Sequence, residues 1–265
     1  SSGRRGSRAL GRLLLPALMN KRGIKIWAVF VWLLIWHGLS MAVGKEILLV
    51  SPGRTMMRLG ELLMMKSFWH AAGYTICRIV GGFFLATALG ILFAVFSSRF
   101  PLLKDFLAPF MLTIKTIPVV SFIIVALIWF SSRKLSILIS FLMVLPIIYT
   151  NVLQGIEAID PQLKEMAKVF RLPLFRKITY VYLPQILPSF RSGCIVALGL
   201  CWKSGVDAEV IGMPKGSIGE QMQQAKIYLD TPDLFAWTLA VILLSFLFER
   251  IILFLLRQLE KRLQH

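Results

Sequence analysis

The chain has 265 residues, of which 57% are hydrophobic and 16% charged, with a formal net charge of +17 at pH 7. That apolar share exceeds the about 45–50% of ordinary soluble domains, which excludes a water-soluble globule and indicates a membrane protein. Strand-like alternation is absent, which excludes a β-barrel. The fold class is therefore all-α integral membrane, because helices satisfy their own backbone polar groups in lipid.

Residues 1–18 are basic and rich in small residues, and Met19 follows them. They read as a tag or a disordered N-terminal tail, since processing and fusion segments stand outside the fold; residues 19–265 then form a single transmembrane domain. Crossing a bilayer takes about 20 mostly apolar residues, and six runs supply them: 26–44, 71–98, 106–132, 135–156, 189–206 and 234–256. The fifth is the weakest, because Lys203 interrupts it. No internal repeat is visible. After the first run, Met56, Met57, Leu59, Leu62, Leu63 and Met64 recur at broadly helical spacing, the pattern of an interfacial helix. A tight hairpin at 131–134 joins the third and fourth runs, and the segment 212–232 predicts a short helix over 218–228. Thr231 is the expected cap of the last span, with Pro232 at its first position and Asp233 in its positive-end turn.

The net charge invites a nucleic-acid partner, but its placement argues against one. With six spans and an inner N-terminus, 19 of the 30 basic residues fall in inner segments or, for Arg191 and Arg250, toward the inner ends of spans, and 8 in outer segments, leaving Arg78, Lys115 and Lys203 deeper within spans. The positive-inside bias thus puts both termini in the cytoplasm, with anionic headgroups as the expected partners of the excess base. Cys77, Cys194 and Cys201 have neither disulfide nor metal spacing and read as small packing residues. His37, His70 and His265 make no ligand set, and Lys215-Gly216-Ser217 lacks the glycine spacing of a phosphate loop. No catalytic or metal-binding residue is expected, and this chain does not hydrolyse ATP by itself.

The loop 158–185 is the most informative segment. Asp160-Pro161 is a helix-start signal, and Leu163, Met166, Ala167 and Phe170 recur at i, i+3, i+4 and i+7 as one apolar stripe. Leu172-Pro173 breaks that helix, and a second short one is expected from Leu174 to Tyr182, before Pro184. The product is two short helices in an elbow. On periodicity alone, an amphipathic helix lying in the headgroups is the competing reading.

Glu165-Met166-Ala167-Lys168-Val169-Phe170-Arg171, followed by Val181-Tyr182-Leu183-Pro184, resembles the cytoplasmic loop signature of ABC importer permeases. There an EAA triplet is followed at fixed spacing by a glycine and then an apolar-x-Leu-Pro. Met166 replaces the first alanine, Ala167 keeps the second, and Arg171 occupies the glycine position. Gly81-Gly82-Phe83 into Gly90, Thr116-Ile117-Pro118 and Ala208-Glu209-Val210-Ile211-Gly212 are similar to the nitrate/sulfonate/taurine branch, and the resemblance covers residues 46–262. It implies a six-helix type I ABC importer permease architecture, with the elbow as a coupling helix docking on a separate ATP-binding subunit. It also implies a homodimer in the bacterial inner membrane, two ATP-binding subunits that hold ATP and Mg, and an extracytoplasmic substrate-binding protein. No cofactor is expected in this chain. The coupling residues carried over are Glu165, Met166, Ala167, Phe170, Arg171, Pro173, Leu183 and Pro184. Arg171 lacks the ease with which glycine adopts a left-handed helix end, so Pro173 is the alternative setter of the turn.

Ionisable residues within spans are functional hypotheses by default. Arg78 is near a span end and within snorkelling reach of the interface. Lys115 adjoins Thr116 and Pro118, where proline bends the third span; Lys203 follows Trp202, with Asp207 four residues on and Glu209 beyond. These seven residues are the candidate translocation pathway, and two facing lysines favour an anionic or zwitterionic solute. An i, i+4 ion pair between Lys203 and Asp207 is the equal alternative. In the fifth run, Gly193 with Ala197 and Cys201 with Gly205 give small-xxx-small spacing for close helix approach. The functional reading is a permease subunit for a small polar solute; the rivals are an integral-membrane enzyme and a secondary carrier or channel.

Overall fold

The computed structural model describes residues 26–171 and 173–263, and their regular structure is entirely helical. The tail expected at 1–18 lies outside the described residues. The chain divides into two units, residues 1–53 and 54–265. The first contributes α1 (Ile26–Val43), with apolar residues on every face. It ends at Gly44, whose φ of 63° suits the left-handed end of a helix, and whose N–H donates to Ser40 O at 3.1 Å.

In the second unit, α3 (Lys66–Arg99), α6 (Ser132–Glu157) and α9 (Leu183–Gly212) make the core, with α6 packed along both of the others. The core side chains include Ile79 and Phe83 from α3, Val144 and Ile148 from α6, and Leu198 and Trp202 from α9. Lipid tails are as apolar as leucine, so helices in a membrane associate through close packing rather than through hydrophobic expulsion. Small residues make that packing possible. A Cβ on Gly82 would lie 2.7 Å from Ile137 O, and one on Gly205 2.5 Å from Ser140 Oγ and 2.7 Å from Ile79 Cγ1. Gly205 therefore sits where all three helices meet. The small-residue spacing read in the fifth run serves contacts within the chain, with Ala197 and Cys201 buried beside it.

Two ends of this core are distinct. At one, Arg58 of α2 (Pro52–Met64) bonds Asp233 of α11 (Thr231–Leu263) at 2.9 Å. Leu59, Leu62, Phe68, Trp237 and Ile218 of α10 (Ile218–Ile227) cluster beneath that pair. The helices expected near 56–64 and 218–228 are both present. Asp230, not Thr231, caps α11: its carboxylate accepts from Asp233 N at 3.1 Å and its carbonyl from Leu234 N at 3.1 Å. At the opposite end, Lys104 pairs with Glu157 at 2.6 Å, bringing together the start of α4 (Pro101–Thr116) and the end of α6.

The third apolar run is not one helix. It forms α4 and α5 (Val119–Trp129), bent by 107° at Ile117-Pro118. Proline has no N–H to continue the ladder and drives its predecessor out of the helical region; Ile117 accordingly has ψ 131°. Among the described residues, three helices, α3, α6 and α11, can cross a membrane by length and composition, or four if the bent pair crosses as one. Helix α9 is 30 residues long but carries Arg191, Lys203, Asp207 and Glu209, which lower its apolarity.

Overpacking a tight core costs about 1–3 kcal/mol. Gly205→Leu is expected to lower the thermal unfolding midpoint of the purified protein clearly. Gly199→Ala, where an added Cβ meets nothing within 4 Å, should leave it unchanged or raise it slightly.

Candidate functional site

The elbow is built from local signals. Asp160 accepts from Gln162 N at 2.8 Å and Pro161 fills the first position, starting α7 (Pro161–Val169) as its sequence expects. Helix α7 packs on the segment that follows it, and Ala167 is its buried residue. This changes the expected use of the stripe: Ala167 faces the chain itself. The outward apolar groups are Met166, Val169, Phe170, Leu174 and Phe175, with Phe170 71% and Phe175 80% exposed. Glu165 is exposed as well.

Arg171 itself takes the left-handed conformation, at φ 48°, with its N–H donating to Lys168 O at 3.0 Å. The backbone thus makes a left-handed turn at a non-glycine residue, at a strain of about 1–2 kcal/mol for an L-residue. Pro173 caps the next helix, α8 (Leu174–Lys177). That helix does not stop before Pro184, as its sequence suggests. It continues through a π-helical stretch, Ile178–Tyr182, directly into α9, with Leu183 and Pro184 in the first turn. Leu183 N–H donates five residues back to Ile178 O. This wider turn accommodates the missing donor of Pro184, a common use of π-bulges.

The seven candidate pathway residues do not form one site. Lys115, Thr116 and Pro118 lie at the α4–α5 bend. Lys115 Nζ donates to Thr150 Oγ1 at 2.8 Å, and Thr150 donates in turn to Pro146 O at 2.7 Å. Lys115 lines an open cleft of about 350 Å³ with Met111, Tyr149, Thr150 and the paired Lys104. Trp202 is 2% exposed and packs edge-on against Phe248 in the core, so it presents no face to a solute within the chain. Lys203 is exposed and Asp207 half-buried, and they form no ion pair within 4 Å.

Glu209 is fully buried. Its Oε2 accepts from Thr75 Oγ1 at 2.7 Å and from Gly219 N at 3.4 Å, and Thr75 Oγ1 also accepts from Ile218 N at 3.0 Å. One carboxylate thereby ties α3, the end of α9 and the N-terminus of α10, where backbone N–H groups and the helix dipole favour an anion. A Cβ on Gly219 would collide with Glu209. Thr75 and Gly219 are structural partners of Glu209 that the sequence does not announce, since a lone threonine in an apolar run carries no signal of a partner 134 residues away.

The described residues form an all-helical bundle with several helices apolar and long enough to cross a membrane, which is the architecture of a multi-pass membrane protein. Residues 86–265 match the family described as binding-protein-dependent transport system inner membrane component. The chain belongs to that family: it is an ABC transporter permease, a transport subunit and not an enzyme. It is 26% identical to the putative aliphatic sulfonates transport permease protein of Bacillus subtilis (strain 168), covering 84% of this chain and 77% of the relative. It is 25% identical to the taurine transport system permease protein of Escherichia coli (strain K12), covering 76% and 71%. It is 24% identical to the formylaminopyrimidine transport permease protein of Halalkalibacterium halodurans (strain ATCC BAA-125 / DSM 18197 / FERM 7344 / JCM 9153 / C-125), covering 77% and 81%.

Leaving a buried acceptor short of its donor costs about 1–3 kcal/mol. Thr75→Val is expected to lower the unfolding midpoint and loosen α10, read as faster amide exchange at 218–227. Thr75→Ser, which keeps the hydroxyl, should restore both.

Proposed function

We propose that this chain is the translocation subunit of an ATP-driven ABC importer, crossing the inner membrane six times with both termini in the cytoplasm. It works as a homodimer with two ATP-binding subunits, which hold ATP and Mg, and takes its solute from an extracytoplasmic binding protein. ATP binding closes the partner subunits, moves the two elbows and switches the dimer from inward-open to outward-open. The observation that carries the coupling role is the exposed apolar patch of Met166, Val169, Phe170, Leu174 and Phe175 on the elbow. Such a patch, flanked by Lys164, Lys168 and Arg176, suits a groove on a soluble partner better than it suits water.

The solute is small and polar, with an anionic group as the favoured feature. Two relatives are named for sulfonates and taurine, and Lys115 offers a fixed cation in an open cleft. The third is named for a formylaminopyrimidine, so the branch is not restricted to one cargo.

The test is co-purification with the ATP-binding partner, combined with solute-stimulated ATP hydrolysis and uptake. Phe170→Asp should weaken partner retention by about tenfold or more, as loss of a buried aromatic anchor does, while the unfolding midpoint stays unchanged. Lys115→Met should keep the partner and basal hydrolysis but depress uptake of an anionic solute. Full retention of the partner by Phe170→Asp would remove the elbow from coupling.

A further inference from the structure

A groove of about 510 Å³ opens between the last turns of α3 and the helix leading into α9, a size within the about 300–1,000 Å³ of small-molecule sites. Its walls are apolar, formed chiefly by Phe96, Ile156, Ile178 and Ile186. Its charged groups are Arg99 and Lys177, and no carboxylate lines it. Two other cations at this end of the bundle are neutralised, Lys104 by Glu157 and Arg191 by Glu260. Arg99 and Lys177 form no ion pair with a described residue; Lys177 rests over the Tyr182 ring at 5.6 Å.

The arrangement is layered. Arg99 is the last residue of a 34-residue membrane helix, so it stands where hydrocarbon gives way to headgroups, and Phe96 lies one turn deeper in the same helix. A free small anion would meet two cations but nothing that needs the apolar wall, and a soluble partner has no access to the buried depth of a span. A molecule with an anionic head and a long apolar tail satisfies both parts. Basic pockets between transmembrane helices recognise lipid headgroups by this chemistry. We infer that the groove is a binding site for an anionic phospholipid. Its phosphate sits with Arg99 and Lys177, and an acyl chain runs along Phe96, Ile178 and Ile186. A lipid seated there bridges the end of α3 to the helix carrying the elbow.

Native mass spectrometry of the detergent-solubilised full chain tests this with phosphatidylglycerol and phosphatidylcholine of identical acyl chains. The expected result is retention of phosphatidylglycerol over phosphatidylcholine by about tenfold or more. R99Q/K177Q should reduce that preference to parity, R99K/K177R should keep it, and excess glycerol phosphate should not displace the lipid. Ile178→Asp, which sets a carboxylate in the groove with both cations present, should also lower phosphatidylglycerol retention. Parity in the unaltered chain, or a preference that survives R99Q/K177Q or Ile178→Asp, would overturn the assignment. Displacement by glycerol phosphate would make it a free-anion site instead. A concentration-dependent dimer that excludes lipid and is lost in R99Q/K177Q would assign the groove to a second copy.

Discussion

The contact of Gly205 with Ser140 and Ile79 is the constraint on which the rest depends. Helices α3, α6 and α9 meet there at a distance that no side chain larger than hydrogen allows. In lipid the alternative to this contact is an equally apolar neighbour, so the gain lies in packing density and in polar groups satisfied across the seam. Ser140 supplies one such group by donating to Cys201 O at 3.2 Å, and Tyr149 another by donating to Ser97 Oγ at 3.2 Å. Once α3, α6 and α9 are locked at this depth, the two ends of the bundle acquire different tasks.

One end is fastened by a buried carboxyl group. Glu209 would be costly in the core without donors, and Thr75 and Gly219 are held close enough only because the helices that carry them are already packed. Close approach and burial of a polar group are thus coupled: the packed seam brings Thr75 within reach, and the Glu209 carboxyl group then holds α10. The other end is fastened by continuity. The π-helical stretch 178–182 joins α8 to α9 without a break, so the elbow is continuous with the helix that contains Gly205 and Glu209. The cleft beside Lys115 abuts α6, the middle member of the same seam.

Features fixed by neighbours in sequence were legible in the residues. Asp160-Pro161 announces the start of α7, Ile117-Pro118 announces a break, and the apolar runs announce the long helices. Features that depend on distant partners were not. Pro118 reveals that a bend exists but not that it reaches 107°, because the angle is set by what α4 and α5 pack against. The stripe on α7 reveals an apolar face but not its direction, and Ala167 turned inward while Phe170 turned outward. Arg171 in the left-handed region is unusual for its residue type, and only the closing turn demands it. Thr75 and Glu209 are ordinary separately; the fold alone makes them a pair.

The central claim is that this packed bundle stands in the membrane with its elbow end in the cytoplasm and its α10 end outside. Thiol labelling of whole cells tests it most directly, using Arg176→Cys on the elbow and Arg133→Cys at the start of α6. The background is Cys77→Ser, since Cys77 is exposed while Cys194 and Cys201 are buried. The account predicts that a membrane-impermeant maleimide modifies the cysteine at 133 in intact cells and the one at 176 only after permeabilisation. Labelling at 176 from outside intact cells would contradict it.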